Sequence, residues 1–161
     1  MAEELVDRFR RWFEYEKDAH AKVIRSLETV PADRRSSTEY RRAIELLGHM
    51  VAARRVWLSR LRGKTASWEV GTELNAVIAE WQEVAGGWTE YLAQLTDSDV
   101  ARSFEYQSFD AGRFRNRIED ILAQLFGHSW YHRGQIAMLI RAAGGEPALT
   151  DLVFWCREPL Q

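Results

Sequence analysis

Apolar residues recur along the chain at steps of three, four or multiples of these, which is the period of helices with one buried face. The first stretch carries this pattern at Leu5, Phe9, Trp12, His20, Val23, Leu27 and Val30. Pro31 ends it, because proline has no amide hydrogen to donate and cannot continue a helix. The pattern therefore predicts one long amphipathic helix before residue 31.

Capping residues bound two further helical stretches. Ser36 with Glu39 forms a candidate capping box for the second helix, and Gly63 is a natural stop. Thr72 is a candidate cap for the third helix, in which the pair Gly86–Gly87 predicts either a kink or a close approach by another helix. The inward positions are Leu46, His49, Ala53, Val56 and Arg60 in the second helix, with Met50, Trp57 and Leu61 beside them, and Leu74, Ile78, Trp81, Val84, Trp88, Leu92 and Leu95 in the third.

The pattern changes between Val100 and Phe114. Phe104 and Tyr106 alternate there with polar residues, which is the period of a strand with one buried face. The segment Asp110–Gly112 offers a turn. We therefore predict a short hairpin or extended connection between the third helix and the next.

A fourth helix is predicted from about Arg117 to the pair Gly144–Gly145. Its inward positions are Ile118, Leu122, Leu125, His128, His132, Ile136, Leu139 and Ala143. The short tail is expected to pack back through apolar side chains, namely Leu152, Phe154 and Trp155. Four long amphipathic helices indicate an all-α fold, a four-helix bundle with the hairpin or extended segment between helices three and four.

The composition is that of a packed globular protein. The 161 residues are 46% hydrophobic and 12% aromatic, which suffices for one domain spanning residues 1–161. The net charge of −2 gives no electrostatic reason to expect nucleic acid or an anionic membrane as a partner. With one cysteine, Cys156, no secretory apolar segment and no long apolar run, the protein is expected to be cytoplasmic.

All four histidines fall on or beside the inward stripes. His20 is on the first helix, His49 on the second, and His128 and His132 lie four residues apart on one face of the fourth. A buried imidazole needs hydrogen-bond or metal partners for its ring nitrogens. Three or four imidazoles directed toward one bundle axis are more economically explained by a shared cation than by separate structural roles.

The residues around the last two histidines resemble the DinB/YfiT-like family of metalloenzymes. That family carries a His-x-x-x-His-Arg-Gly-Gln motif on its last helix, and this chain has the same residues at His128–Gln135 within the run Asp120–Gln135. Family members end this helix at a glycine and carry an Asp-Leu pair shortly afterwards. Gly144 and the pair Asp151–Leu152 match both features.

Two earlier segments extend the resemblance over nearly the whole chain. Leu46–His49 is similar to the helix segment that carries the family's first metal-binding histidine. Tyr15–His20 is similar to the family's Tyr-x-x-Trp-Ala-Asn segment of helix one, with Asp18 and His20 in place of the tryptophan and the asparagine. The departure at His20 leaves three roles open for it, as a fourth ligand, a proton carrier or a pocket wall.

The resemblance implies that His49, His128 and His132 are the three ligands of a divalent metal ion, and that the protein is a homodimer. Imidazole ligands suit zinc, nickel, iron or copper, and we expect zinc or nickel, with iron as an alternative. Three protein ligands leave positions for water or substrate. Characterised relatives include metal-dependent transferases that use low-molecular-weight thiols such as bacillithiol and mycothiol.

The implied function is thus a metal-dependent thiol S-transferase that acts on an electrophilic small molecule, with the thiol as cosubstrate. One alternative is a hydrolase or isomerase that activates water at the same three histidines. Another is a non-catalytic metal-binding module associated with stress. A third is a helical bundle whose histidines are purely structural.

Several neighbours are candidates for further roles, and each also has a structural interpretation. Glu16, one turn from His20, is a candidate general base or a solvated carboxylate. His20 and Gln135 are further catalytic candidates, and Gln135 is also suited to orienting a ligand or substrate. His20 and Arg133 are candidates for binding substrate, although Arg133 equally suits a structural ion pair. Glu45 is a candidate to orient a metal-bound imidazole.

Overall fold

Four long helices account for most of the chain and lie close to the predicted positions. The computed structural model describes residues 4–160, so the expected domain limits at 1 and 161 lie outside the described residues. The four long helices, of 21 to 25 residues, are α1 (Leu5–Glu28), α2 (Thr38–Leu61), α3 (Leu74–Gln94) and α5 (Ile118–Ala142). Short helices lie at Ala32–Arg34 (3-10), Asp97–Ala101 (α4) and Leu152–Cys156 (α6).

The four long helices pack around one core. α1 and α2 each contact both α3 and α5, so these two consecutive helices lie on opposite sides of the core. Among the largest fully buried side chains are Phe13 from α1, Leu47 from α2, Trp88 from α3 and Ile136 from α5. The predicted helical fold is confirmed.

The buried face of α1 follows steps of three and four residues along the whole helix. These buried positions are Val6, Phe9, Phe13, Glu16, His20, Val23 and Leu27. The predicted stripe is therefore correct at Phe9, His20, Val23 and Leu27. Leu5 and Trp12, which were expected to point inward, are only partly buried, because they lie beside this row rather than on it.

A two-stranded antiparallel hairpin precedes α5, as the alternating pattern predicts. It consists of β1 (Ser103–Gln107) and β2 (Arg113–Arg117), with Ser103 opposite Arg117. Tyr106 packs edge-on against Trp57 of α2 at 4.8 Å between ring centroids. The hairpin therefore packs against α2. The sequence analysis did not predict the short helix α4, which precedes the hairpin.

The helix boundaries differ from the predicted caps at two N-termini. Ser37, not Ser36, caps α2, where its hydroxyl accepts a hydrogen bond from the amide of Tyr40. α3 starts after Glu73 rather than at a Thr72 cap. The predicted ends after α2 and α5 are correct, because Gly63 and Gly144 have φ values of 67° and 87°, which favour glycine.

The tail packs back onto the bundle only in part. Trp155 lies 5.8 Å from the ring of Tyr15, whereas Phe154 is exposed. Arg60, expected to point inward on α2, is also partly exposed and covers Trp57. Within residues 4–160, none of the helices combines the length and the apolar character required to traverse a bilayer.

Two glycines allow close contacts between elements. A side chain at Gly87 of α3 would lie 2.7 Å from Leu58 of α2, so the predicted close approach occurs there. A side chain at Gly48 of α2 would overlap the carbonyl oxygen of Gly71 in the connection to α3. This second contact seats the connection against α2 directly beside His49.

We expect opposite stability changes from two glycine-to-alanine substitutions. Gly86→Ala should raise the free energy of unfolding by about 0.5–1 kcal/mol, because this glycine is exposed within α3 with open space around it. Gly48→Ala should lower it by about 1–3 kcal/mol, because backbone atoms of the Gly71 connection must move. Urea unfolding measures both, and equal effects would show that the connection does not press on α2.

Candidate metal centre

Three imidazoles from two helices meet at one point. His49 extends from α2, and His128 and His132 extend from α5. The Nε2 atom of His128 lies 2.9 Å from Nε2 of His49 and 3.1 Å from Nε2 of His132. One nitrogen from each ring lies within 4.8 Å of the others. Of the four histidines on or beside the inward stripes, the structure thus brings together the three that the family resemblance implies as ligands.

Hydrogen bonds among the three rings cannot account for all the close contacts between their nitrogens. Nε2 of His128 carries either one hydrogen or one lone pair, yet it faces two ring nitrogens. Two nitrogens at about 2.0–2.1 Å from a single divalent ion lie roughly 2.9–3.4 Å apart for angles of about 90–110°. The two observed separations match that span. The three-histidine cluster is therefore compatible with metal binding.

Gln135 sets the proton position on one of the rings. Its Oε1 atom lies 2.7 Å from Nδ1 of His132, one helical turn earlier. A carbonyl oxygen only accepts, so His132 donates from Nδ1. When the ring is neutral, this hydrogen bond leaves the lone pair on Nε2, which lies 3.1 Å from Nε2 of His128 and is the nitrogen that would bind a metal ion.

Two of the rings are held in the neutral form. Burial, followed by the neighbouring His132 and His49, lowers the pKa of His128 to about 4. Burial also lowers the pKa of His49, with smaller contributions from His132 and Arg42. Because a metal ion displaces protons from its ligands, neutral imidazoles bind it without that competition near pH 7.

Two residues of the cluster, His49 and His132, line an open pocket of about 360 Å³. Its lining residues are Arg42, Glu45, Leu46, His49, Val70, Thr72 and His132. Trp68 lies edge-on to His49 at 5.2 Å, and Tyr131 lies 5.0 Å from His132. A larger cavity of about 460 Å³ is lined by Tyr15 of α1 together with residues of α5 and the tail, but none of the three histidines lines it. The smaller pocket is therefore the better candidate site.

A buried ion cluster contains Glu16, His20, Arg54 and Arg133. Oε2 of Glu16 accepts a hydrogen bond of 2.9 Å from Arg133, and Oε1 lies 3.2 Å from Arg54 Nη2. Arg133 also donates to the hydroxyl of Tyr15 at 2.8 Å, and that hydroxyl donates to the carbonyl of Thr150 at 2.6 Å. The single carboxylate of Glu16 thus pairs with two guanidinium groups in the core.

The charges in this cluster shift one another's pKa values. Burial alone would raise the pKa of the Glu16 carboxyl, but Arg54 and the ring of His20 are the main influences that hold it well below its usual value. Burial lowers the pKa of His20. The cluster therefore holds one anion and two cations, with a neutral imidazole beside them.

Four further residues singled out in the sequence analysis lie outside the three-histidine cluster. His20 does not belong to the three-histidine cluster but stacks on Trp81 at 3.9 Å. Glu16 is fully buried, so its interpretation as a solvated carboxylate is wrong. Arg133 forms the structural ion pair that the sequence left open. Glu45 accepts a hydrogen bond from Arg42 at the edge of the pocket.

The sequence reasoning missed Arg54, although a signal was present. Arg54 occupies one position of an inward row on α2 with steps of three and four, Tyr40, Ile44, Leu47, Val51, Arg54 and Leu58. A charged residue in such a row requires a buried partner. Trp68 was also missed, and no periodic signal marks it because it lies in the connection between α2 and α3.

Comparison with known proteins places these residues in a family context. A family model described as the DinB superfamily matches residues 13–136, a span that contains all three clustered histidines. No curated protein and no solved structure matches the chain.

In metal-free protein the His128 ring should stay neutral as the pH falls to about 4. Because its pKa in the folded state lies below the ordinary value of about 6.5, the unfolded chain binds the proton first. The contribution of this pKa difference to the free energy of unfolding is fully present above about pH 6.5 and is lost as the pH falls toward 4. NMR titration of the ring measures the pKa directly, and an ordinary value would contradict the burial of this ring. The His128→Asn variant should lose less unfolding free energy between pH 7 and 5 than the unsubstituted protein.

Proposed function

The chain belongs to the DinB superfamily, and on that premise we propose that His49, His128 and His132 hold one divalent metal ion in a thiol transferase. The transferase joins a low-molecular-weight thiol to an electrophilic small molecule. The observation that carries this proposal is the convergence of three ring nitrogens at the wall of an open pocket. A site with three protein ligands leaves room for an exogenous one.

The proposed cofactor is zinc or nickel, with iron as the alternative, because imidazole ligands suit these ions. Bound there, the ion would lower the pKa of a coordinated thiol and hold it as the thiolate. The residues of the chain contribute the ligand geometry. Gln135 orients His132, and burial keeps His128 neutral at physiological pH.

The reacting sulfur is proposed to come from outside the chain. Cys156 is the only cysteine, and it is exposed on α6 rather than part of the three-histidine cluster. In the proposed transfer a carbon–sulfur bond forms at the electrophilic carbon. The bond to the leaving group breaks with its electron pair, and the thiol proton passes to solvent.

The pocket offers complementary contacts to both reactants. Arg42 is a cation at the edge of the pocket with 58% of its side chain exposed and pairs with Glu45 at 2.9 Å, so an anionic group of the thiol or substrate would share or replace that partner. Leu46, Val70 and the nearby ring of Trp68 provide apolar surface for the electrophile. A pocket of about 360 Å³ has the size of a small-molecule site.

The proposal includes a homodimer in the cytoplasm. Trp130, Tyr131 and Met138 lie exposed along α5, and Met138 is 71% exposed. An apolar row of this kind suits contact with a second copy of the chain. The cytoplasm is proposed because low-molecular-weight thiols are kept reduced there.

Metal content provides the first test. The protein purified without an affinity tag should contain about one equivalent of zinc, nickel or iron by elemental analysis. His132→Ala should weaken zinc binding on the order of 100-fold or more, because one of three ligands is lost. His20→Asn is the matched control, since it removes a histidine outside the cluster and should retain the metal. Unchanged metal binding in His132→Ala would end the proposal.

Thiol dependence provides the second test. Metal-loaded protein is incubated with a model electrophile such as a chlorodinitrobenzene, with and without cysteine, glutathione, bacillithiol or mycothiol, and the conjugate is quantified. We expect turnover that requires both thiol and metal and is lost in His132→Ala. Turnover without thiol would indicate water chemistry at the same site. Stoichiometric metal without turnover of any electrophile would favour a non-catalytic metal-binding module.

A further inference from the structure

We infer that Glu16 is a positioning residue for the three histidines, because its buried carboxylate joins the two helices that carry them. This inference rests on the proposed metal site. Glu16 lies on α1, whereas His49 lies on α2 and His128 and His132 lie on α5. The spacing of α2 and α5 determines whether the three ring nitrogens converge, and the carboxylate is bound to a guanidinium from each of those helices.

The two carboxylate oxygens have separate partners. Oε2 accepts a hydrogen bond from Arg133 of α5 at 2.9 Å. Oε1 has no hydrogen bond of good geometry but forms an ion pair with Arg54 of α2 at 3.2 Å and lies 3.4 Å from Nδ1 of His20. Glu16 is 0% exposed, so water does not replace either partner. The carboxylate therefore bridges α2 and α5 across the core.

The bridged residues are close in sequence to the histidines. Arg133 directly follows His132, and Arg54 is five residues, or about one and a half turns, beyond His49. Arg54 also lies 3.4 Å from the hydroxyl of Ser129, the residue after His128. A shift of either guanidinium would therefore move a helix segment that carries a ring of the cluster.

The charge balance makes the bridge necessary. Two guanidinium groups share one carboxylate, and Arg54 is 2% exposed. Without the carboxylate, two buried cations would repel each other with nothing between them, at a high desolvation cost. Arg54 and Glu16 both influence the pKa of His128, which is consistent with the cluster lying next to the metal site. Complete burial argues against the direct contact with a reactant that a general base requires.

The central experiment compares Glu16→Gln with the double variant Glu16→Gln/Arg54→Met. The single variant leaves two buried cations without an anion. The double variant removes one of them, so the net buried charge returns to the original +1, that is, two cations and one anion before and one cation after. Ion pairs replaced by apolar side chains often retain stability. The double variant thus restores the net buried charge and removes the repulsion between the two guanidinium groups, without restoring the bridge.

Zinc affinity is measured by competition with a chromophoric chelator, alongside the free energy of unfolding in urea. We expect the double variant to recover stability relative to Glu16→Gln while its zinc dissociation constant stays 10–100-fold above that of the unsubstituted protein. Leu27→Ala, a buried site eleven residues away on α1, is the matched control that loses stability but keeps zinc affinity. The visible spectrum of the cobalt-loaded double variant should also change, because the ligand geometry is altered.

Two results would overturn the inference. Either Glu16→Gln binds zinc as tightly as the unsubstituted protein, or the double variant regains full affinity together with its stability. If Glu16→Gln fails to fold, Glu16→Asp replaces it. Aspartate keeps the charge but is one methylene shorter and spans only one of the two guanidiniums, so the same loss of affinity is expected and unchanged affinity overturns the inference.

A metal-independent readout separates this inference from the proposed function. Spin labels at Arg41→Cys on α2 and Gln124→Cys on α5, both exposed positions, report the spacing of these helices in metal-free protein with Cys156→Ser. Dilution with unlabelled protein isolates distances within one chain. We expect a broader or shifted distance distribution in the double variant, and an unchanged one overturns the positioning role. Failure of the proposed function appears instead as equal zinc binding by His132→Ala and the unsubstituted protein.

Discussion

A single carboxylate shared by two guanidinium groups in the centre of the core is the interaction on which the rest of the structure depends. Charged side chains are costly to bury, and the cost is offset only when oppositely charged groups are held in good geometry. Here two guanidinium groups share one carboxylate. Glu16 meets this requirement by binding Arg54 and Arg133 on separate oxygens. Since the three residues come from three helices, satisfying the charges also fixes the relative positions of α1, α2 and α5.

The three-histidine cluster lies next to this polar layer and comes from the same two helices that supply the guanidinium groups. α2 contributes His49 and α5 contributes His128 and His132, so the site exists only when those helices pack in one register. Gln135 then selects the proton position on His132. Folding thus brings three ring nitrogens together before any ligand arrives, which is the preorganisation that binding sites require.

Periodicity predicted the long helices and the hairpin and placed all four histidines on or beside the inward stripes, because each depends on regular spacing along the chain. The choice of His49, His128 and His132 came from the family resemblance. It did not predict which polar residues share a core layer, since that depends on how rows from different helices align. Glu16 and Arg54 both stand in inward rows, and their pairing becomes evident only when α1 and α2 face each other across the core. Two N-terminal caps were wrong by one residue each, because local hydrogen bonds decide the exact start of a helix.

Two aromatic side chains near the site, Trp68 and Phe109, lie outside the helical core. Trp68 lies in the connection after α2, and Phe109, 6.5 Å from it, lies in the hairpin turn. Connections of this kind accept substitutions and insertions that a close-packed interior does not. Substitutions in these two connections would therefore change the surroundings of His49 without changing the helices that hold the imidazole cluster, so that the shape of the site and its ring nitrogens depend on separate parts of the polypeptide.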